Sequence, residues 1–269
     1  MRLLAVRVLA VLCALTWLVL PGFGLIDLSV SWDADWPVIL EASWGGFMTV
    51  LVGGSFLAVA VRPRRSAPAA VVLVVALGAL LVSAAAGLEW QLLGYAALLA
   101  VELPVLLLVP DRERVRPAAV SPWLPLLLVA VAGAAPWLVH AARVYRMNRG
   151  DAGEAIGELT MGVDHHAVQG ALAVALVALS VAAAVWPRGR RHLGLATGAC
   201  AGYFGLVSFA FPGSWAGLSP SWSVLCMAWG AAVAVLALAA PRVPRAARVR
   251  RRGRRGPASP VTGRPCARP

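Results

Sequence analysis

One acidic residue lies well inside an apolar stretch of the chain, where a charge is costly. Glu102 is about seven residues from the end of the stretch 91–109, and an ionisable group at that depth usually faces a partner or a water-filled cavity. Two residues later, Pro104 cannot donate a hydrogen bond to the carbonyl of Ala100, which predicts a kink with a freed acceptor. A broken helix beside a carboxylate is typical of cation and proton paths. The alternative is structural: Glu102 is protonated, or it pairs with Arg7.

A second group of candidates could converge at one end of the predicted helices: Glu41, His140, Asp164, His165 and His166. Imidazole and carboxylate groups at adjacent helix ends can bind zinc or a similar ion, or relay protons. The spacing is unfavourable, because His165 and His166 point about 100° apart on a helix and neither H-x-x-x-H nor H-E-x-x-H occurs. Two alternatives stay open. Asp164 caps the following helix beside interfacial histidines, or the group senses pH or a ligand.

Composition places these residues in a membrane protein. The chain has 269 residues, of which 60% are hydrophobic and 13% charged, and its mean hydropathy of +0.79 excludes an ordinary water-soluble domain. Stretches of about 20 apolar residues are long enough to cross a bilayer as helices. We therefore predict an all-α bundle of eight transmembrane helices in residues 1–241, near 3–24, 38–61, 68–87, 91–109, 122–142, 167–186, 192–211 and 221–240.

The first stretch also resembles a secretory signal, because Arg2 and Arg7 precede or interrupt an apolar run. We predict an uncleaved helix, since the run ends in Leu20-Pro21-Gly22 without a small-x-small cleavage site. Cleavage would leave seven helices.

Arginine placement predicts the direction of threading. All 24 basic residues are arginines. With a cytoplasmic N-terminus, 21 of them lie on the cytoplasmic side and only Arg143, Arg146 and Arg149 lie outside, as the excess of positive charge in cytoplasmic loops requires. We expect a multi-pass protein of the cell membrane with both termini cytoplasmic. The exclusive use of arginine indicates GC-rich coding and a bacterial source.

The two halves of the chain, residues 1–116 and 117–255, repeat the same order of helices and loops. Their arginine-rich inner turns look alike, Arg62-Pro63-Arg64-Arg65 beside Pro187-Arg188-Gly189-Arg190-Arg191. A parallel repeat of four plus four helices follows as a hypothesis. Chance is the alternative, because alternating topology alone places arginines in equivalent turns.

Other patterns indicate helix contacts and a long connection. Gly194, Gly198 and Gly202 recur every four residues, which predicts close helix packing within one chain or between two copies. The predicted outer loop 144–163 is unusually long. We expect it either to fold over the histidine cluster as a lid or to be a flexible, solvated connection.

The tail 242–269 is rich in arginine and proline and is predicted to be disordered. Beside a bilayer, its arginines are expected to contact anionic lipid headgroups. Nucleic-acid binding is not favoured, because no aromatic residues interleave the run. The four cysteines form no C-x-x-C pair, so no disulfide framework or zinc ribbon is indicated.

No motif assigns a specific activity. P-loop, Rossmann, nucleophile-elbow and zincin signatures are absent, and the soluble segments are too short for a separate catalytic domain. Two classes of function remain. We favour a transporter-like or accessory membrane subunit without a cofactor, in which Glu102 and Pro104 belong to a path. The alternative is a membrane-embedded enzyme or metal-binding protein with its site among the outer histidines and acids.

Overall fold

The computed structural model describes residues 2–36, 38–109, 120–160, 162 and 165–241. Within these ranges the regular elements are helices, and the one β-bridge joins Val38 to Trp215. The helices are α1 (Arg2–Leu18), α2 (Gly24–Val30), α3 (Leu40–Val61), α4 (Ala67–Gly87), α5 (Gln91–Leu108), α6 (Leu124–Asn148), α7 (Asp151–Leu159), α8 (His166–Val185), α9 (Arg190–Ala210) and α10 (Pro220–Ala239). The predicted disordered tail 242–269 lies outside the described residues.

Seven of these helices are long and apolar enough to cross a membrane: α3, α4, α5, α6, α8, α9 and α10. This confirms an all-helical, multi-pass membrane architecture at the level of helix length and composition. Helix α1 has 17 residues, about 26 Å at 1.5 Å per residue, which is short against a hydrocarbon layer of about 30 Å. The eighth span therefore stays a prediction.

Two predicted boundaries need correction. The first helix ends at Leu18 rather than near residue 24, because Pro21 and Gly22 belong to a turn that leads into α2. The fifth predicted helix continues past residue 142 to Asn148, and α7 occupies much of the predicted outer loop 144–163. The expectation of a flexible connection is therefore wrong for the helical part of this segment.

The most buried spans lie at the centre of the bundle. In each of α3, α8 and α9, more than half of the apolar membrane-spanning stretch is buried inside the protein. Helix α6 packs along α8, and α9 packs along α10. A Cβ atom at Gly198 would lie 2.6 Å from the carbonyl oxygen of Gly230 on α10, and one at Gly194 would lie 2.2 Å from the Ala237 Cβ. Gly202 differs, since a Cβ there would meet open space.

The alternating helices give the bundle two different ends. The arginine end holds the turn after α3, with Arg62, and the turn between α8 and α9, with Arg188. The histidine end holds the C-terminal half of α6, the first turn of α8 and the connection from α9 to α10. A cavity lies at the histidine end.

Candidate ligand cavity at the histidine end

A cavity of about 870 Å³ lies between α6, α8, α10 and the segment 214–219. Most of its wall is apolar, and the bulky apolar side chains include Pro136, Trp137, Trp222, Leu225 and Trp229. Its polar side chains include His140, Arg143, His166 and Gln169. Small-molecule sites typically have this size and this combination of an apolar wall with few polar groups.

Small residues on α6 and α8 allow the walls to approach each other. A Cβ at Gly133 would lie 2.0 Å from the Trp229 Nε1 atom, so glycine is what lets this indole lie against α6. The indole is held there by donating to the Val129 carbonyl at 2.9 Å. A Cβ at Gly170 would likewise lie 2.1 Å from the ring of Tyr145 on α6. The start of α8 is thus brought beside the C-terminal end of α6.

Pro136 adds a polar feature to the same wall. It lies inside α6 and has no N–H, so the Ala132 carbonyl loses the donor that an uninterrupted helix would give it. Ala132 and Pro136 both line the cavity. A carbonyl oxygen that lacks its helical donor can accept a hydrogen bond from water or from a bound molecule.

The first turn of α8 contributes two buried polar side chains. His166 is 0% exposed and Gln169 is 2% exposed. Neither ring nitrogen of His166 nor the Gln169 Oε1 atom makes a close hydrogen bond within the described structure. His166 does interact with the backbone of Ala152, and Gln169 with the His140 side chain. The Gln169 Nε2 atom donates to the Ala216 carbonyl at 2.9 Å, which fixes the orientation of the amide. The Gln169 Oε1 atom and the His166 ring therefore lie in a cavity wall that the contact with Ala216 holds in place.

His140 on α6 completes the polar part of the wall. Its ring lies edge-on to Trp137, with 6.1 Å between ring centroids, and close to Phe204 of α9 at the same centroid distance. It interacts electrostatically with His166 and Arg143. The His140 Nε2 atom makes no close hydrogen bond with the described residues, and the ring interacts with the Gln169 side chain. Two imidazoles from different helices therefore face one cavity.

His165 points into different surroundings from its neighbour. Its Nδ1 atom lies 3.1 Å from Oε2 of Glu89, and its Nε2 atom lies 3.2 Å from the Gly162 carbonyl oxygen. This agrees with the expectation that the two adjacent histidines cannot share a face. His165, rather than the expected Asp164, occupies the N-cap position of α8, without a side-chain cap bond. The Asn148 side chain instead accepts from the Ala167 N–H at 3.0 Å.

The remaining members of the predicted outer cluster are not brought into this cavity. Glu41 is buried on the first turn of α3, where it accepts a hydrogen bond from the indole of Trp36. Asp164 lies outside the described residues. Among the residues that the structure describes, no group of three histidine, cysteine, aspartate or glutamate side chains is placed to hold a metal ion. The metal-binding alternative thus has two imidazoles in one place, and the part of the chain that the structure describes adds no third ligand of these types there.

Glu102 lies elsewhere, between α1 and α5. Its carboxylate accepts a hydrogen bond from the Trp17 indole, which ties the end of α1 to α5. The α-helical part of α5 ends at Glu102, and the next six residues, which include Pro104, are 3-10 helix. Glu102 lines neither the cavity at the histidine end nor the smaller groove at the arginine end. Its proposed role in a path stays a prediction. On α1 the carboxylate contacts Trp17, and no ion pair with the predicted partner Arg7 is present among the described residues.

Sequence reasoning missed Gln169, Arg143 and the tryptophans as parts of the site. One signal was available for Gln169: an amide three residues after His166 in an apolar helix lies on the same face. No comparable signal existed for Trp229, because its position depends on the crossing of α6 and α10 at Gly133.

No known protein family, curated protein or solved structure matches this chain.

Proposed function

We propose that this protein binds a small amphipathic molecule in the cavity at the histidine end and acts as a transporter-like or accessory membrane protein. One observation carries the proposal: His166 and Gln169 are buried and line the cavity, and both carry polar atoms that make no close hydrogen bond within the described structure. Buried polar groups in proteins are nearly always hydrogen-bonded. A ligand that supplies the missing partners explains why these side chains are there.

The wall specifies the character of the ligand. A neutral imidazole has one donor and one acceptor nitrogen, and the Gln169 Oε1 atom only accepts, so the ligand must offer both donors and acceptors at its polar end. The tryptophan and leucine side chains suit an apolar body. Each unpaired buried polar group costs about 1–3 kcal/mol, so a ligand that satisfies several of them gains affinity from the same groups.

The proposal includes an orientation. We place the arginine end and both termini in the cytoplasm, which is supported by 21 of 24 arginines on that side, and we count α1 as an eighth span, since 17 residues is the lower limit for one. The cavity then faces the outside of the cell membrane. Reporter fusions after Ser31 and Asp151 are expected to be exported, and a fusion after Arg190 is not; the opposite pattern would invert the orientation.

One structural similarity between the two halves supports the proposed four-plus-four repeat. The long connection of the first half contains α2, and that of the second half contains α7. The π-helical segment of α3, Gly46–Gly53, has no counterpart in α8, which is α-helical throughout. The repeat remains part of the proposal on the strength of the matching element order.

A matched pair of variants tests the cavity. Val139 is 68% exposed and lines the cavity, whereas its neighbour Leu138 is 49% exposed and does not. Val139→Trp should fill the cavity mouth and Leu138→Trp should not. Native mass spectrometry of protein isolated from its own membranes should find a bound small molecule in the parent and in Leu138→Trp, and a reduced share of bound protein in Val139→Trp. Equal occupancy in all three proteins would contradict the proposal.

Metal binding is the second candidate, favoured by the two imidazoles that face one cavity. Elemental analysis of the purified protein is its test. The candidate requires a stoichiometric transition metal in the parent protein and its loss in a His140→Ala/His166→Ala double variant. A metal-free parent, or a metal retained by the double variant, would remove this candidate.

A further inference from the structure

A groove of about 370 Å³ lies at the arginine end, between the start of α1 and the turn that joins α3 to α4. Four arginines surround it: Arg7 from α1, and Arg62, Arg64 and Arg65 from the turn. Its apolar part includes Val61 and the buried ring of Pro63. Four positive charges thus meet beside an apolar surface, at the level where the helices end.

The turn that carries three of these arginines has a defined geometry. Residues Pro63–Arg65 form one 3-10 turn, in which the Arg65 N–H donates to the Arg62 carbonyl at 2.9 Å. Arg62 directly precedes this turn, and Arg62, Arg64 and Arg65 all line the groove. Pro63 is buried against the bundle and anchors the turn. The arginines are therefore presented by an ordered backbone.

The arginines of this groove make no polar contacts with the described part of the chain. None of the four arginines makes an ion pair or a side-chain hydrogen bond with the described residues. The turn between α8 and α9 offers a contrast. There Arg190 is buried and donates to three backbone carbonyls, and Arg191 donates to the Leu238 carbonyl at 3.2 Å. The arginines Arg190 and Arg191 are thus engaged in protein contacts, while those of the groove make none with the residues that the structure describes.

We propose that this groove binds the phosphate headgroup of an anionic phospholipid. Guanidinium groups bind phosphate oxygens in bidentate fashion, and basic pockets at the cytoplasmic ends of transmembrane helices bind such headgroups. A lipid fits better than a free phosphate, because Val61 is 67% exposed beside the arginines and Leu4 is exposed on the neighbouring turn of α1. Those side chains can contact the acyl chains while the arginines hold the headgroup. The proposal is independent of the cavity at the histidine end.

Lipid titrations of the purified full-length protein in neutral detergent test the site. The probes are short-chain phosphatidylglycerol, short-chain phosphatidylcholine and inorganic phosphate, with binding followed by native mass spectrometry. The variant Arg7→Gln/Arg62→Gln removes two charges from the groove. Its matched control, Arg2→Gln/Arg191→Gln, removes two charges from the same end of the bundle outside the groove. Arg64→Gln/Arg65→Gln is a second groove variant, made on exposed side chains.

We expect phosphatidylglycerol to bind the parent and the control equally. Its affinity for each groove variant should fall about 30-fold, which corresponds to ~2 kcal/mol for two arginines. Gel filtration establishes that each variant remains folded. The proposal is overturned if phosphatidylcholine binds as tightly as phosphatidylglycerol, if the control loses as much affinity as the groove variants, or if inorganic phosphate alone binds as tightly as the lipid.

Discussion

Replacing His166 with leucine should stabilise the protein while it removes ligand binding. Neither nitrogen of the buried imidazole makes a close hydrogen bond within the described structure, and a neutral imidazole presents one donor and one acceptor there. Each such group costs about 1–3 kcal/mol when unpaired. Leucine has a similar volume and no polar atoms, so only part of this gain is lost to imperfect packing.

We expect the free energy of unfolding of the ligand-free protein to rise by ~1–2 kcal/mol in His166→Leu. For a chain of this size, that corresponds to an increase of roughly 2–8 °C in the thermal midpoint. The assay is thermal unfolding in detergent after extensive washing, because bound ligand would stabilise the parent protein and hide the difference. Native mass spectrometry of unwashed protein should show that the variant no longer retains the small molecule.

Tyr145→Phe is the matched control. The Tyr145 hydroxyl lies 2.6 Å from the Ser83 hydroxyl, and both side chains are buried. Removing one member of a satisfied pair leaves the other unpaired, so this variant should lose ~1–2 kcal/mol. If His166→Leu lowers the thermal midpoint as Tyr145→Phe does, the imidazole is a structural hydrogen-bonding group, and the reasoning that assigns it to a ligand is refuted.

Three further predictions concern the scaffold. Gly198→Ala should lower the free energy of unfolding by ~1–3 kcal/mol, because its methyl group would meet the backbone of α10. Gly202→Ala should be neutral or stabilising by up to ~1 kcal/mol, since a methyl group there would meet open space. Equal effects of the two variants in thermal unfolding would contradict the α9–α10 contact. Arg190→Gln should lose ~2 kcal/mol or more in the same assay, because three backbone carbonyls lose a charged donor. Glu102→Gln keeps an oxygen acceptor for the Trp17 indole and should unfold within ~1 kcal/mol of the parent; if Glu102 also forms a proton or cation path, flux measured in vesicles should disappear, and unchanged flux would exclude that path.

The spans could be predicted from the sequence because they depend on long apolar runs, which need no knowledge of neighbouring helices. The ends of the helices could not be predicted as closely. The end of α1 depends on the turn at Pro21 and Gly22, and the extension of α6 to Asn148 depends on contacts that this residue makes with Gly87 and Ala167. A hydropathy pattern contains no information on either contact. The short helix α7 was not predicted for a different reason: its residues are too polar to be recognised as a membrane span.

The candidate site could be predicted in part. His140 and His166 are polar groups at the ends of apolar segments, so the sequence marks them as costly. Their convergence depends on how α6 packs against α8, and Gly170 is the residue that permits the close approach. The sequence could not separate His166 from His165, although the first lies in the cavity wall and the second contacts Glu89.

The three arginines that the proposed orientation places outside the cell have separate explanations. Arg146 and Arg149 donate to the carbonyls of Ala142 and Tyr145, one turn earlier in the chain. Cations in the last turn of a helix stabilise its negative C-terminal dipole, so these two have a local reason to be there. Arg143 makes no such bond within the described structure, and it lines the cavity beside His140. Under the proposed orientation Arg143 opposes the positive-inside distribution, and it makes no hydrogen bond or ion pair with the described residues. The proposed ligand, whose polar end it would face, explains its position best. Arg143→Gln should therefore weaken retention of the small molecule without lowering the thermal midpoint, whereas a fall in stability with unchanged retention would assign Arg143 to the scaffold.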